Sequence, residues 1–115
     1  MDDEFRLRVV FYKTETGKEP VREWLKSLPR EDRTIIGEDI KTVQFGWPLG
    51  MPLIRKLESD LWEIRSELPH HRIARTLFTV EDGIMVLLHG FIKKAQRTPK
   101  RDLTLAQSRA AKLRR

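Results

Sequence analysis

The alternation of apolar and polar residues is clearest in the second half of the chain, where it predicts three consecutive strands. Leu61 to Leu68 alternates with the period of a half-buried strand. A turn at Pro69 leads into a second strand from Arg72 to Val80, and Glu81-Asp82-Gly83 predicts a tight hairpin. The third strand, Ile84 to Ile92, is apolar on both faces, so we expect it inside the sheet.

The first half of the chain predicts one strand and two amphipathic helices. Arg6 to Tyr12 is rich in β-branched and aromatic residues, which indicates a strand covered on both faces. Pro20 begins a helix with one apolar stripe, and Leu28-Pro29 ends it. A second helix is expected from about Glu31 to Phe45, and the short linker favours an antiparallel helix hairpin.

The basic C-terminal segment predicts a last helix that begins at Pro99, with Thr98 as its cap. One face of this helix is basic and carries Arg101, Arg109, Lys112, Arg114 and Arg115. That face suits an RNA or an acidic protein partner, and it equally suits an ordinary solvated surface. The order of strand, helix hairpin, three-stranded meander and helix indicates a single α+β domain over residues 1–115, built as one pair of layers.

Composition narrows the possible partners. The chain has 115 residues, of which 39% are hydrophobic and 35% charged, enough for one core. It has no apolar run long enough for a membrane span, no N-terminal secretory signal and no cysteine, so we expect a cytoplasmic protein with no membrane partner. The net charge of +6 favours a polyanion such as RNA, with an acidic protein as the alternative.

Basic residues follow the predicted meander, so we expect the sheet to present a cationic site for RNA. RNA can be cut without metal or cofactor, because its 2′-hydroxyl can attack the adjacent phosphorus while the protein moves protons and stabilises charge. We therefore expect no cofactor. We also expect no metal, since His70, His71 and His89 lack the spacing of a metal site.

The predicted catalytic residues are Arg65, Arg75, His89 and Lys93. The two arginines present planar forks that suit phosphate oxygens. His89 has the only side chain of the cluster whose ordinary pKa lies near neutrality, so it is the candidate for proton transfer. Residues predicted to bind RNA are Lys56, Arg72, Lys94 and Gln96.

The two arginines also have structural interpretations. Arg65 lies between Glu63 and Glu67 on one strand face, which equally predicts a surface ion-pair ladder. Arg75 shares its strand face with apolar residues and equally fits a purely structural arginine.

His89 and the lysine pair have structural interpretations as well. His89 alternates with Leu87 and Phe91, so it equally fits a satisfied core histidine. Lys93-Lys94 stands at a strand end, where lysines also deter edge pairing.

The meander motifs resemble those of a known family. The matching pieces are Lys56-Leu57, Leu61-Trp62-Glu63-Ile64-Arg65, Ile73-Ala74-Arg75 and above all Leu87-Leu88-His89-Gly90-Phe91-Ile92-Lys93-Lys94, followed by Gln96, Thr98 and Pro99. The chain resembles the RelE/HigB-type toxins of bacterial type II toxin–antitoxin systems, in the phage-derived branch of the RelE/ParE superfamily. The resemblance implies a small twisted antiparallel sheet packed against two N-terminal helices, with a C-terminal helix.

The resemblance also implies a function. It indicates an endoribonuclease that cleaves mRNA at the ribosome, inhibits growth and is held in check by a helix-turn-helix antitoxin, with promoter DNA contacted only through that antitoxin. The best-known RelE members carry a catalytic tyrosine near the chain end, whereas the single tyrosine here is Tyr12. Two alternatives remain: a non-catalytic ParE-like toxin that binds a protein such as a topoisomerase, and an inactive antitoxin-binding module.

Overall fold

A computed structural model describes residues 7–50, 52–93 and 97–114. The elements, in chain order, are β1 (Arg8–Phe11), α1 (Pro20–Ser27), α2 (Arg30–Gly46), β2 (Ile54–Glu58), β3 (Leu61–Leu68), β4 (Arg72–Glu81), β5 (Ile84–Lys93) and α3 (Lys100–Leu113). Every predicted strand and helix is present, with ends that differ from the predictions by at most two residues. The α+β class is confirmed.

The strands form one five-stranded sheet in the order β1-β5-β4-β3-β2. β1 pairs with β5 in parallel, while all other pairs are antiparallel. The sheet is therefore mixed, whereas the resemblance implied an antiparallel one, because the chain crosses over between β1 and the meander. β5 is an internal strand, as predicted. β2 was not predicted as a strand, so the meander has four strands instead of three.

Helices cover both faces of the sheet, so the predicted pair of layers is in fact three layers. One core joins α1 and α2 to the sheet through residues such as Val21, Ile36 and Phe78. On the opposite face a second core joins Ala106 and Ala110 of α3 to the sheet. The thin apolar stripe of α3 suffices for this packing, because its alanines let the helix approach the strands closely.

The two N-terminal helices pack mainly on the sheet. α1 lies against β5 and β1, while α2 lies against β3. Ile36, Ile40 and Val43 are the buried apolar residues of α2, which confirms that this helix is amphipathic. Within the described part of the chain, no helix is both long and apolar enough to cross a membrane.

A β-bulge in β5 sets the direction of His89. Leu77 pairs with His89 and Phe78 pairs with Leu87, so Leu88 is the extra residue that has no partner on β4. Leu87 packs in the α1/α2 core, whereas Leu88 packs in the α3 core. The bulge therefore brings His89 to the α3 side, and the prediction that His89 shares a face with Leu87 is wrong.

Gly90, next to His89, allows close packing of α1 on the sheet. A Cβ atom at this position would lie 2.2 Å from two ring carbons of Trp24. Real Cβ contacts are never this short, so any larger residue forces the indole or the strand to move. Trp24 can therefore pack against β5 in this position only because Gly90 has no side chain.

We expect Gly90→Ala to lower the free energy of unfolding by about 1–3 kcal/mol, the usual cost of overpacking a core. Urea denaturation would measure the change. Gly37→Ala is the matched control, since a Cβ at Gly37 of α2 meets nothing within 4 Å. The free energy of unfolding of this control should rise by up to about 1 kcal/mol, because alanine has a higher helix propensity than glycine. Equal stability of Gly90→Ala and the wild type would contradict the close packing.

Candidate active site

The sheet face that α3 covers carries the candidate residues in two neighbouring rows across the strands. One row consists of Arg55, Glu63, Leu77 and His89, and the next of Arg65, Arg75 and Phe91. Alternate residues of a strand share a face, so both rows project to the same side of the sheet. Leu77 and Phe91 pack in the α3 core, which identifies that side.

A buried ion pair lies at the centre of these rows. Nη1 of Arg75 is 3.7 Å from Oε1 of Glu63, and both side chains are 0% exposed. Burial lowers the pKa of Arg75; the negative charge of Glu63 opposes this shift, while the nearby charges of Arg65 and Arg55 add to it. Arg75 thus interacts electrostatically with two further arginines and one carboxylate, and the cluster is cationic.

Thr98 ties the segment before α3 to this ion pair. Its Oγ1 donates a hydrogen bond to Oε2 of Glu63. The prediction that Thr98 caps α3 is wrong, because Pro99 occupies the cap position and no side chain caps the helix. The hydroxyl instead binds one of the two oxygens of the buried carboxylate.

Arg65 is the half-buried arginine of the second row. Within the described part of the chain it forms no ion pair, so the alternative ladder with Glu63 and Glu67 is not present. Its Nε is buried and has no hydrogen-bond partner among the described residues. Arg65 also lines a depression together with Leu53, Glu67 and Asp39 of α2. This guanidinium is therefore available to an anionic ligand.

His89 contacts the first turn of α3. Its Nε2 lies 2.6 Å from Oδ1 of Asp102, and the two side chains are 17% and 12% exposed. The imidazole also stacks on Phe91, with ring centroids 5.5 Å apart. Sequence reasoning missed Asp102, although a carboxylate in the first turn of a predicted helix is a signal that could have found it.

Two predicted RNA-binding residues lie on the opposite face of the sheet. Lys56 pairs across the strands with Trp62, and its Nζ is 6.0 Å from the centre of that indole. Arg72 donates two hydrogen bonds to Asp32, of 2.8 and 2.9 Å, and a third from Nε to the carbonyl of Pro69. The bond to Asp32 raises the pKa of Arg72. The structure thus brings neither residue together with Arg65 and Arg75.

Three further predicted residues fall at the end of β5 and beyond it. Lys93 is the last residue of β5, directly opposite Ile73 on β4, and its side chain lies outside the described residues. Lys94 and Gln96 also lie outside the described residues. Their predicted roles stay predictions.

Arg55 is a site residue that the sequence analysis did not select. It stands directly opposite Glu63, is half-buried and forms no ion pair among the described residues. The signal was present in the sequence: had β2 been predicted as the partner of β3, the alternation of side chains would have chosen Arg55 over Lys56.

Arg109 corrects the prediction of a uniformly basic outer face on α3. Its Nη1 donates a 2.7 Å hydrogen bond to the carbonyl of Leu88, the bulge residue. The guanidinium lies 5.5 Å from the ring centre of Tyr12, and burial lowers the pKa of Arg109. This arginine therefore points inward and fixes α3 to the bulge.

The fold and site define a small three-layer α+β domain whose helix-covered sheet face holds a cationic cluster beside a histidine. The chain belongs to the family described as phage derived protein Gp49-like, whose model matches residues 23–111. This is a family of RelE/HigB-like toxins, so the resemblance is confirmed at the level of the family. A comparison with curated proteins gives no significant match.

The pair between Arg72 and Asp32 generates a prediction about stability. Arg72→Ala should lower the unfolding midpoint, because it leaves the carboxylate of Asp32, which is 1% exposed, without its bidentate partner. In the double variant Arg72→Ala/Asp32→Ala, the unfolding midpoint should fall by less than the sum of the decreases in the two single variants. Thermal unfolding of the four proteins measures this coupling; strictly additive losses would show that the pair does not couple the two residues.

Proposed function

We propose that the chain is the toxin of a toxin–antitoxin system and a metal-independent endoribonuclease that cleaves mRNA at the ribosome. The observation that carries this proposal is the guanidinium of Arg65. It is accessible, has no ion-pair partner among the described residues and lies on the same face as His89. The net charge of +6 and membership of a RelE/HigB-like toxin family support a polyanionic target.

In this proposal Arg65 contacts the scissile phosphate and stabilises the charge that develops on the phosphorane. Arg75 is fully buried, so it does not contact the RNA and acts on the phosphate only through its positive charge. Glu63 and Thr98 hold the inner part of the cluster in place. A charge fixed before the reaction costs no reorganisation when the transition state forms.

His89 transfers protons in the proposed reaction. Its side chain is partly exposed, and the described residues offer its Nδ1 no hydrogen-bond partner, so this nitrogen is open to substrate. Arg55 is a further arginine of the cationic cluster and would hold the neighbouring phosphate. Lys93, Lys94 and Gln96 follow on the chain and are proposed to contact the RNA backbone. A helix-turn-helix antitoxin is the proposed protein partner.

We expect Arg65→Ala to reduce RNA cleavage by about 100-fold or more, the usual loss when one charge-stabilising donor is removed. Primer extension on cellular transcripts after a short pulse of expression would detect new ends inside translated regions. Arg33→Ala is the matched control, because Arg33 is an exposed arginine of α2, on the opposite side of the sheet. The control should cleave like the wild type.

The outcomes of this experiment separate the alternatives. Cleavage by both the wild type and Arg65→Ala would remove Arg65 from the site. Growth arrest with intact transcripts would replace the ribonuclease with a toxin that binds a protein such as a topoisomerase. If expression caused neither growth arrest nor RNA cleavage, the remaining alternative would be an inactive antitoxin-binding module.

Arg55 and Lys56 offer a second test, because adjacent residues of β2 point to opposite faces. Arg55→Ala should weaken RNA binding and lower the slope of log affinity against log salt by about 0.7, the value for one phosphate contact on a single strand. Lys56→Ala removes the same charge from the other face and should leave the slope unchanged. Filter binding of an uncleavable RNA measures both. Equal slopes for the two variants would contradict the assigned face.

A further inference from the structure

We propose that Asp102 is a positioning residue, whose carboxylate holds His89 with Nε2 protonated and leaves Nδ1 as the basic nitrogen. This role depends on the proton transfer proposed for His89. The proposed role of Asp102 gives α3 a function beyond packing on one face of the sheet. Asp102 itself need not touch the RNA.

The geometry of the pair supports this role. Oδ1 of Asp102 lies 2.6 Å from Nε2 of His89, the distance of a strong hydrogen bond. An ionised carboxylate can only accept hydrogen bonds, so the proton of a neutral imidazole lies on Nε2. Both side chains are largely shielded from water, which strengthens the bond.

The second carboxylate oxygen indicates that the pair is more than a structural contact. Oδ2 of Asp102 is buried and has no hydrogen-bond partner among the described residues. A buried, half-satisfied carboxylate costs stability. The first turn of α3 offsets part of this cost, because the helix dipole favours negative charge there. A buried carboxylate oxygen without a hydrogen-bond partner calls for an explanation, and a catalytic role is one such explanation.

The surrounding backbone restrains the imidazole from two more directions. The bulge at Leu88 turns His89 toward α3, and Arg109 of the same helix donates to the Leu88 carbonyl at 2.7 Å. Phe91 stacks against the other side of the ring. α3 therefore supplies both the carboxylate and the bond that fixes the bulge, and these contacts favour the observed orientation of the imidazole.

The proposed step assigns each proton. Nδ1 of His89 takes the proton of the 2′-hydroxyl as that oxygen bonds to phosphorus and the bond to the 5′-oxygen breaks. Water protonates the leaving oxygen, and the imidazolium then returns its proton to the resulting hydroxide. The products are a 2′,3′-cyclic phosphate and a 5′-hydroxyl end. During the step the imidazolium is stabilised by the charge of Asp102.

Asp102→Asn tests the role, because it keeps the size of the side chain and removes the acceptor-only carboxylate. Single-turnover cleavage should fall by about 10²–10⁴-fold, the usual contribution of acid–base catalysis. Affinity for an RNA with a 2′-deoxy group at the cleaved position should not change. Cleavage at the wild-type rate would overturn the proposal.

The tautomer of His89 provides a readout that a merely structural residue would not move. Under alkaline conditions that keep the imidazole neutral, ¹⁵N NMR should show a single tautomer protonated on Nε2 in the wild type. Asp102→Asn should show a mixture of both tautomers. The same tautomer in both proteins overturns the proposal, even if Asp102→Asn is less stable. This measurement decides the role of Asp102 even if the wild type cleaves no RNA, an outcome that would refute only the proposed function.

Two further variants complete the experiment. Asp102→Glu retains a carboxylate and should keep both the wild-type tautomer and most of the cleavage. Glu38→Gln removes an exposed carboxylate of α2 and should change neither. Asp102→Glu could instead lose as much cleavage as Asp102→Asn while its tautomer stays that of the wild type. That result would assign Asp102 to packing and overturn the proposal.

Discussion

The ion pair between Glu63 and Arg75 places two charges inside a sheet that is covered on both faces. Moving such groups out of water costs several kcal/mol for each ion, and their attraction repays it only when the geometry and the remaining hydrogen bonds are good. Thr98 provides one of those bonds, to the second carboxylate oxygen. Several features follow from this constraint. The segment before α3 must lie against β3, and the positive charges of Arg55 and Arg65 act on the buried guanidinium of Arg75.

Much of the fold was predictable because it depends on local patterns. Proline and glycine marked the ends of the elements, and periodicity distinguished strands from helices. Asp82 and Gly83 both adopt positive φ, the turn that the Asp-Gly pair predicted. β2 was missed because it is a short edge strand that follows a loop rich in glycine and proline. The third layer was missed because alanines give α3 only a weak apolar stripe, although small residues are suited to close packing.

The site was less predictable, for reasons that individual residues make clear. Arg65 and Arg75 could be placed together because both strands alternate regularly and pair without a shift. Arg55 and Lys56 could not be distinguished without the pairing of β2, since a change of one residue reverses the face. The face of His89 depended on a bulge, which periodicity does not reveal. Asp102, Thr98 and Asp32 met their partners 13, 35 and 40 residues away in the chain, distances over which local patterns carry no information.

The position of α3 after all five strands has a consequence for the timing of activity. During translation the chain emerges from its N-terminus, so the sheet strands are synthesised before the residues that complete the face. Thr98, Asp102 and Arg109 all belong to this last segment, and they bind the central carboxylate, the imidazole and the bulge. A nascent chain that has only just finished β5 would carry the arginines without the contacts that orient His89. The sheet face is therefore complete only after α3 has been synthesised and has packed against it.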